Sequence, residues 1–115
     1  MIVRPEQRET ECRPKMRGGK GEVFVSPLAG TPRQAHLRLA SEILVPPGAS
    51  IGRHDHRAET EYYYILSGKG LVDDDGTLVE VGPGDAILTS DGAAHSVEAL
   101  SEAPLRMLAF IVTDA

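Results

Sequence analysis

The sequence has very little cysteine, since Cys12 is the only one among its 115 residues. No disulfide can form within the chain, which fits a reducing compartment, and we therefore expect a cytoplasmic protein. Residues 1–15 lack the apolar run that a secretory signal or a membrane span needs, so we expect no membrane association. No convincing amphipathic helix, nucleotide-binding loop or Ser-His-Asp nucleophile set is found.

The charge is divided unevenly along the chain, which carries a net charge of -5. Residues 1–20 hold six basic and three acidic side chains, and the remainder holds six basic and fourteen acidic ones. An acidic body of this kind argues against nucleic-acid binding. The basic head favours a solvated or loosely docked arm, although contact with an anion is the alternative. The length allows one domain, which we divide into an N-terminal arm or strand lead-in at 1–22 and a β-barrel domain at 23–115.

Short apolar runs are separated by twelve glycines and eight prolines. Residues 35–45 alternate between two faces, with Ser41 on the same face as Leu39 and Ile43, which is the period of a strand. An Asp75-Gly76 pair between two apolar runs indicates a β-hairpin. The complete set of predicted strands covers about 23–25, 35–45, 61–67, 71–73, 78–81, 86–89, 95–99 and 105–112. Regular spacing of short strands predicts an antiparallel all-β sandwich or barrel.

Three of the four histidines occur in a pattern that suggests a metal site. His54 and His56 are two residues apart, so on a strand both imidazoles project to the same side. Glu61 follows after a short segment, and His95 begins a later strand that a barrel can bring alongside. Three imidazoles and one carboxylate suit a divalent first-row metal. By spacing alone the alternative stays open, because a His-x-His pair also occurs on ordinary strand surfaces.

Two segments resemble the two sequence motifs of the cupins. Residues 48–68, GASIGRHDHRAETEYYYILSG, match the first cupin motif at each defining position. Residues 84–99, GDAILTSDGAAHSVEA, keep both glycines and the histidine of the second. They depart from it at Ser90, where proline is usual, and at Ala99, where asparagine is usual. Neither departure falls on a ligand position of that family, and the change at Ser90 concerns only the local turn.

The resemblance implies a double-stranded β-helix, or jelly roll, holding one divalent metal ion. By this resemblance the metal ligands are His54, His56, Glu61 and His95. The chain looks like the small single-domain cupins described as oxalate-decarboxylase-like, which makes manganese the first candidate metal, with iron, nickel or zinc as alternatives. We expect replacement of His36, which lies outside the motifs, to leave metal content unchanged.

Strand parity extends the prediction to the lining of the site. If Glu61 points inward, Tyr63 does too, and we predict Tyr63 as the catalytic residue, acting as a donor or acid. Glu59 is a weaker candidate, because a solvated loop is the expected state of that residue. Arg38 would make a suitable anchor for a carboxylate, but it lies on the more polar face of its strand and is expected to point outward.

The same parity directs Tyr62, Tyr64 and Leu66 to the outside of the barrel. A strand that is apolar on both faces is usually covered on both, and in a small chain a second subunit is a natural cover. We therefore predict a homodimer. The alternative is that the N-terminal segment folds over this surface.

Two functions are compatible with the sequence, and of these we favour the first. The first is a metal-dependent enzyme acting on a small oxygen-rich acid or sugar derivative, of decarboxylase, dioxygenase or isomerase type. The second is a non-catalytic module that binds a metal and a small ligand as a sensor or store. The composition of the pocket distinguishes them, because an enzyme needs a titratable group beside the open metal positions.

Overall fold

A computed structural model describes all 115 residues and contains ten β-strands. The strands are β1 (Glu11–Pro14), β2 (Glu22–Pro27), β3 (Leu37–Val45), β4 (Ser50–Asp55), β5 (Glu59–Ser67), β6 (Gly70–Asp74), β7 (Thr77–Val81), β8 (Ala86–Thr89), β9 (Ala94–Ala99) and β10 (Leu105–Thr113). Two short 3-10 turns, Pro5–Gln7 and Met16–Gly18, are the only helical elements. Neither of these three-residue turns could span a bilayer as a helix.

The strands form two antiparallel sheets. One has six strands in the order β1-β2-β3-β10-β5-β8, and the other has four in the order β4-β9-β6-β7. Along most strands buried and exposed positions alternate, so that each sheet has one inward face. The inward side chains form one apolar core, whose largest members include Ile43, Ile51, Ile65, Leu105 and Met107. The predicted all-β jelly roll is confirmed.

Local turn chemistry agrees with the sequence pattern at the predicted hairpin. β6 and β7 pair antiparallel from Gly70 opposite Val81 to Asp74 opposite Thr77. The two residues between these strands, Asp75 and Gly76, both have positive φ angles. This is the backbone conformation that a two-residue hairpin requires and that a glycine adopts without strain.

Residues 1–22 include a strand that the sequence pattern did not reveal. β1 pairs antiparallel with β2 and forms one edge of the larger sheet. Met16, in the 3-10 turn that follows, packs against the apolar core. The basic segment is therefore attached to the sheet at residues 11–14. The division of the chain at residue 22 stays a prediction.

The outer face of the larger sheet exposes apolar side chains on β5, β8 and β10. Tyr62 and Tyr64 are 44% and 46% exposed, and Leu88 and Val112 are exposed beside them. Leu66, predicted to lie on this face, is half-buried. The N-terminal segment does not cover the two tyrosines, because β1 lies at the opposite end of the strand order from β8.

Candidate metal centre

Three imidazoles and one carboxylate converge between the two sheets. His54 lies near the end of β4 and is paired directly with His95 on β9. His56 follows β4, and Glu61 faces them from β5 in the other sheet. One ligand atom from each of the four residues lies within 4.8 Å of the others. The structure thus brings together the four residues that the cupin resemblance implies.

The ring nitrogens and the carboxylate oxygen that face the centre lie close to one another. His95 Nε2 lies 3.0 Å from His54 Nε2 and 3.1 Å from His56 Nε2. Glu61 Oε1 lies 3.0 Å from Nε2 of both His56 and His95, and 3.8 Å from His54 Nε2. First-row divalent ions bind such nitrogens and oxygens at about 2.0 to 2.2 Å, so neighbouring ligands at a right angle are about 3.0 Å apart. The observed separations fit this donor spacing.

The other ring nitrogen of each histidine is held by a second group. His54 Nδ1 donates to the Gly52 carbonyl at 2.7 Å, and His56 Nδ1 donates to the Glu59 carboxylate at 2.6 Å. Since these partners accept hydrogen bonds, Nδ1 of each ring carries a proton, and Nε2 is the nitrogen that can offer a lone pair to a metal at the centre. Partners of this kind orient metal-binding histidines.

His95 is oriented by a hydroxyl rather than by a carbonyl or carboxylate. Its Nδ1 lies 2.8 Å from Thr89 Oγ1, and both residues are buried. Burial lowers the pKa of His95 below its ordinary value, although the neighbouring Glu61 carboxylate acts in the opposite direction. At neutral pH the ring is therefore neutral, as a metal ligand must be.

Glu61 is the only fully buried acidic residue, and its Oε1 has no hydrogen-bond partner. A buried carboxylate facing lone pairs is strongly destabilised unless a cation lies between them. The donor set and the orphaned oxygen therefore both fit a divalent metal ion.

Tyr63 points inward as predicted, and it is 2% exposed. Its ring stacks on His95 with a centroid separation of 4.9 Å and an angle of 7° between the planes. Burial, followed by the negative charge of Glu61, raises the pKa of the Tyr63 phenol well above its ordinary value. Tyr63 thus keeps its proton at neutral pH and can act as a hydrogen-bond donor at the site.

Glu59 is not a solvated loop residue, and that expectation is wrong. β5 begins at Glu59 because its pairing with β10 extends to Thr113, so Glu59 shares the inward parity of Glu61. Burial alone would raise the pKa of Glu59, but hydrogen bonds from Arg38 and His56 hold it below its ordinary value. Since Glu59 lies two residues before Glu61 on the same strand, strand alternation would have predicted that its side chain points inward as well.

Arg38 is exposed, as expected, but its side chain also borders the site. It donates two hydrogen bonds to Glu59, at 3.2 and 2.8 Å. The pairing of β3 with β10 is irregular here, because Ile111 pairs with Leu39 and the next residue, Val112, pairs with Leu37. Such a bulge redirects the side chain of the extra residue, which strand alternation cannot anticipate.

A cavity of about 160 Å³ connects the histidine cluster to the surface. Its walls combine apolar side chains from the core with polar groups of the site. The basic residues that line it are Arg13, Arg17 and Arg38. Two of these arginines belong to the basic N-terminal segment. The basic segment, for which the sequence favours a solvated or loosely docked arm, therefore contributes side chains to the border of the candidate site.

The two departures from the second cupin motif, Ser90 and Ala99, are accommodated by the local structure. The turn that begins at Ser90 is closed by a hydrogen bond from the Ala93 amide to the Ser90 carbonyl at 3.0 Å, without a proline. The turn is attached to the site through His56, whose amide donates to the Ala93 carbonyl and whose carbonyl accepts from the Gly92 amide. Ala99 is buried in the apolar core, where its methyl group leaves no polar atom to satisfy.

Comparison with known proteins agrees with this fold and site. The family profile described as a cupin domain matches residues 41–111, which contain all four converging residues. The chain belongs to the cupin domain family. Within that family it is a small cupin, since one barrel accounts for its ten strands.

Individual relatives extend over nearly the whole chain. The chain is 39% identical over 113 residues to the "Oxalate-binding protein" of Thermotoga maritima, covering 97% of this chain and 93% of that protein. A crystal structure of a predicted oxalate decarboxylase from Thermotoga maritima is 37% identical, with a TM-score of 0.90 over 98% of this chain and 99% of that one. The polyketide cyclase RemF of Streptomyces resistomycificus is 26% identical, with a TM-score of 0.76 over 98% and 78%.

Proposed function

We propose that this protein binds one divalent metal ion through His54, His56, Glu61 and His95, and binds a small dicarboxylate of the oxalate class beside it. The observation that carries the proposal is the convergence of Nε2 atoms of fixed orientation on an unpartnered buried carboxylate oxygen. Manganese is the first candidate ion, followed by iron, nickel and zinc, because nitrogen and oxygen donors suit all of these.

The size of the cavity favours a small ligand. Pockets for drug-sized molecules are roughly 300 to 1,000 Å³, whereas this cavity measures about 160 Å³. A compact acid fits such a volume better than a sugar derivative does. The three arginines in the wall favour negative charge, and carboxylates are well matched to the planar guanidinium group. The names of the two Thermotoga maritima proteins point to the same ligand class.

The titratable groups of the pocket favour binding over catalysis. When bound, the metal offers positions to carboxylate oxygens and stabilises the negative charge on them. Tyr63 retains its proton, and Glu59 is engaged by both His56 and Arg38, so neither is a free base at neutral pH. A general base needs a pKa near the working pH. Metal-dependent binding is thus the function that the geometry supports best.

A decarboxylase-type enzyme is the second candidate, and Tyr63 is the observation that favours it. The phenol lies against His95 with its proton retained, where it could donate a hydrogen bond to a bound carboxylate. Replacing Tyr63 with phenylalanine should lower any turnover while leaving metal content unchanged. Steady-state assay of carbon dioxide release from oxalate, with each metal added back, distinguishes the enzyme from the binding module.

The test of the main proposal is elemental analysis followed by calorimetry. Protein prepared without an affinity tag should contain about one divalent ion per chain, and the loaded protein should bind oxalate more tightly than formate. Chelator-stripped protein is the matched control and should bind neither acid measurably. Metal-free purified protein that also fails to take up any of the four metals would overturn the proposal.

We also propose a homodimer formed through the exposed outer face that carries Tyr62, Tyr64 and Leu88. Exposed apolar side chains on three neighbouring strands support it. Light scattering at micromolar concentration should give twice the mass of the 12.3 kDa chain. We propose a cytoplasmic location because Cys12 is free and exposed, as suits a reducing compartment.

A further inference from the structure

We infer that Arg17 is the residue that selects a dicarboxylate at this site, by binding the carboxylate group that the metal does not hold. The inference rests on the proposed function and names the group that gives it specificity. Three arginines line the cavity, but they are not equivalent. Their existing partners decide which of them is available to a ligand.

Two of the arginines are already engaged by carboxylates of the chain. Arg38 donates two hydrogen bonds to Glu59, and Arg13 forms an ion pair with Glu11 at 3.2 Å. The side chain of Arg17 forms no hydrogen bond and no ion pair, although it lines the same cavity as His54, His56 and Glu61. A guanidinium presents several donors in a fixed planar arrangement that matches a carboxylate. Arg17 is therefore the cavity's one uncommitted carboxylate-binding group.

Arg17 shares its cavity with the interior of the site. The same cavity is lined by Tyr63 and by three of the proposed metal ligands, His54, His56 and Glu61. A ligand lying between the metal ligands and the cavity mouth would thus meet Arg17.

The backbone of residues 15–21, which we call the arginine turn, is held in an unusual conformation. Arg17 has φ 53° and ψ 30°, and Lys15 also lies in the left-handed region. Non-glycine residues occupy this region at a cost, so the surrounding contacts must fix it. Hydrogen bonds do so, from the Ser50 amide to the Lys20 carbonyl and from the Lys20 amide to Ser50 Oγ, both at 2.9 Å.

Two opposed glycines let the arginine turn lie directly on β4. A Cβ atom on Gly52 would overlap the Arg17 carbonyl oxygen, and one on Gly19 would overlap the Ser50 carbonyl. The carbonyl of Gly52 also accepts the hydrogen bond from His54 Nδ1. One short stretch of β4 therefore orients a metal ligand on one side and seats Arg17 on the other. Gly19 is a positioning residue for Arg17 that does not contact the metal ligands.

The experiment compares Arg17→Gln with Lys20→Gln in full-length, metal-loaded protein, using oxalate and formate as probes in calorimetry. Lys20 is the matched control because it lies in the same turn, carries the same charge and does not line the cavity. Arg17→Gln should weaken oxalate binding about 10- to 100-fold, the loss of one charge-assisted, two-pronged contact, and change formate binding far less. Lys20→Gln should leave both affinities unchanged, and metal content should be the same in all three proteins.

A second variant distinguishes loss of the guanidinium contact from a disturbed fold. Arg17→Lys keeps the positive charge but not the planar pair of donors, so it should bind oxalate more weakly than the wild type and more tightly than Arg17→Gln, while metal content stays at the wild-type value. If Arg17→Gln binds oxalate as tightly as the wild type does, the role of Arg17 is refuted and the proposed function stands. If the metal-loaded wild type does not bind oxalate, both the proposed ligand class and this inference are overturned.

Discussion

Removing the negative charge of Glu59 should weaken metal binding, although Glu59 is not among the four converging residues. His56 Nδ1 donates to its carboxylate at 2.6 Å, a short distance typical of a charge-assisted hydrogen bond. In Glu59→Gln the amide oxygen can still accept this bond, but without the charge that makes His56 a stronger donor to a metal. Loss of such a partner typically costs about 10- to 100-fold in metal affinity, or about 1.4 to 2.8 kcal/mol.

The assay is competition between the protein and a chromophoric chelator for zinc or manganese at neutral pH. Glu80→Gln, a substitution of the same kind at an exposed position on β7, is the control and should bind metal like the wild type. Unfolding by urea should change by less than about 1 kcal/mol, because the Arg38 partner of Glu59 is half exposed and such pairs contribute little. If folded Glu59→Gln protein binds metal with wild-type affinity, the hydrogen bond between His56 Nδ1 and Glu59 does not strengthen His56 as a metal ligand, and the argument is refuted.

Three further outcomes are expected. His95→Ala should lose most of its metal by elemental analysis, while circular dichroism still shows the strands of the barrel. His36 lies outside the cluster, so His36→Ala should keep full metal content. Removing the metal with a chelator should lower the unfolding temperature in scanning calorimetry by roughly 10 °C, since an ion at 100 times its dissociation constant stabilises the fold by about 2.7 kcal/mol. Ile65→Ala should destabilise the protein to urea by about 2 to 5 kcal/mol, because Ile65 is fully buried in the core, with no direct change in metal stoichiometry.

The fold was predictable because its information is local. Alternation along β3 and the Asp75-Gly76 turn depend only on neighbouring residues, and both agree with the structure. The clustering of His54, His56, Glu61 and His95 is a long-range event, and spacing alone left it undecided. It became predictable only through the resemblance to the cupin motifs, because in this fold two strands, β4 from one motif and β9 from the other, pair with each other.

The groups around the cluster were harder to predict because they depend on register and on irregular backbone. Thr89 reaches His95 from β8, a relation that appears only once Glu61 is known to pair with Thr89 across the strands. Arg38 is redirected by a bulge, and Arg17 lies in a left-handed turn that no alternation rule describes. Strand parity correctly predicts that Tyr63 points inward. Arg17 and Arg38 lie where the backbone departs from regular strand geometry, so parity does not predict their positions.

The distribution of charge explains why the basic segment belongs to the site. The body beyond residue 20 carries fourteen acidic and six basic side chains, so at long range it repels a dianion. That repulsion is screened beyond about 8 Å at physiological ionic strength, whereas a guanidinium in contact with a carboxylate is screened much less. Recognition of an acid must therefore be short-range, and Arg13 and Arg17 supply positive charge at the cavity itself. Net charge alone would exclude the ligand that the local arrangement of arginines favours.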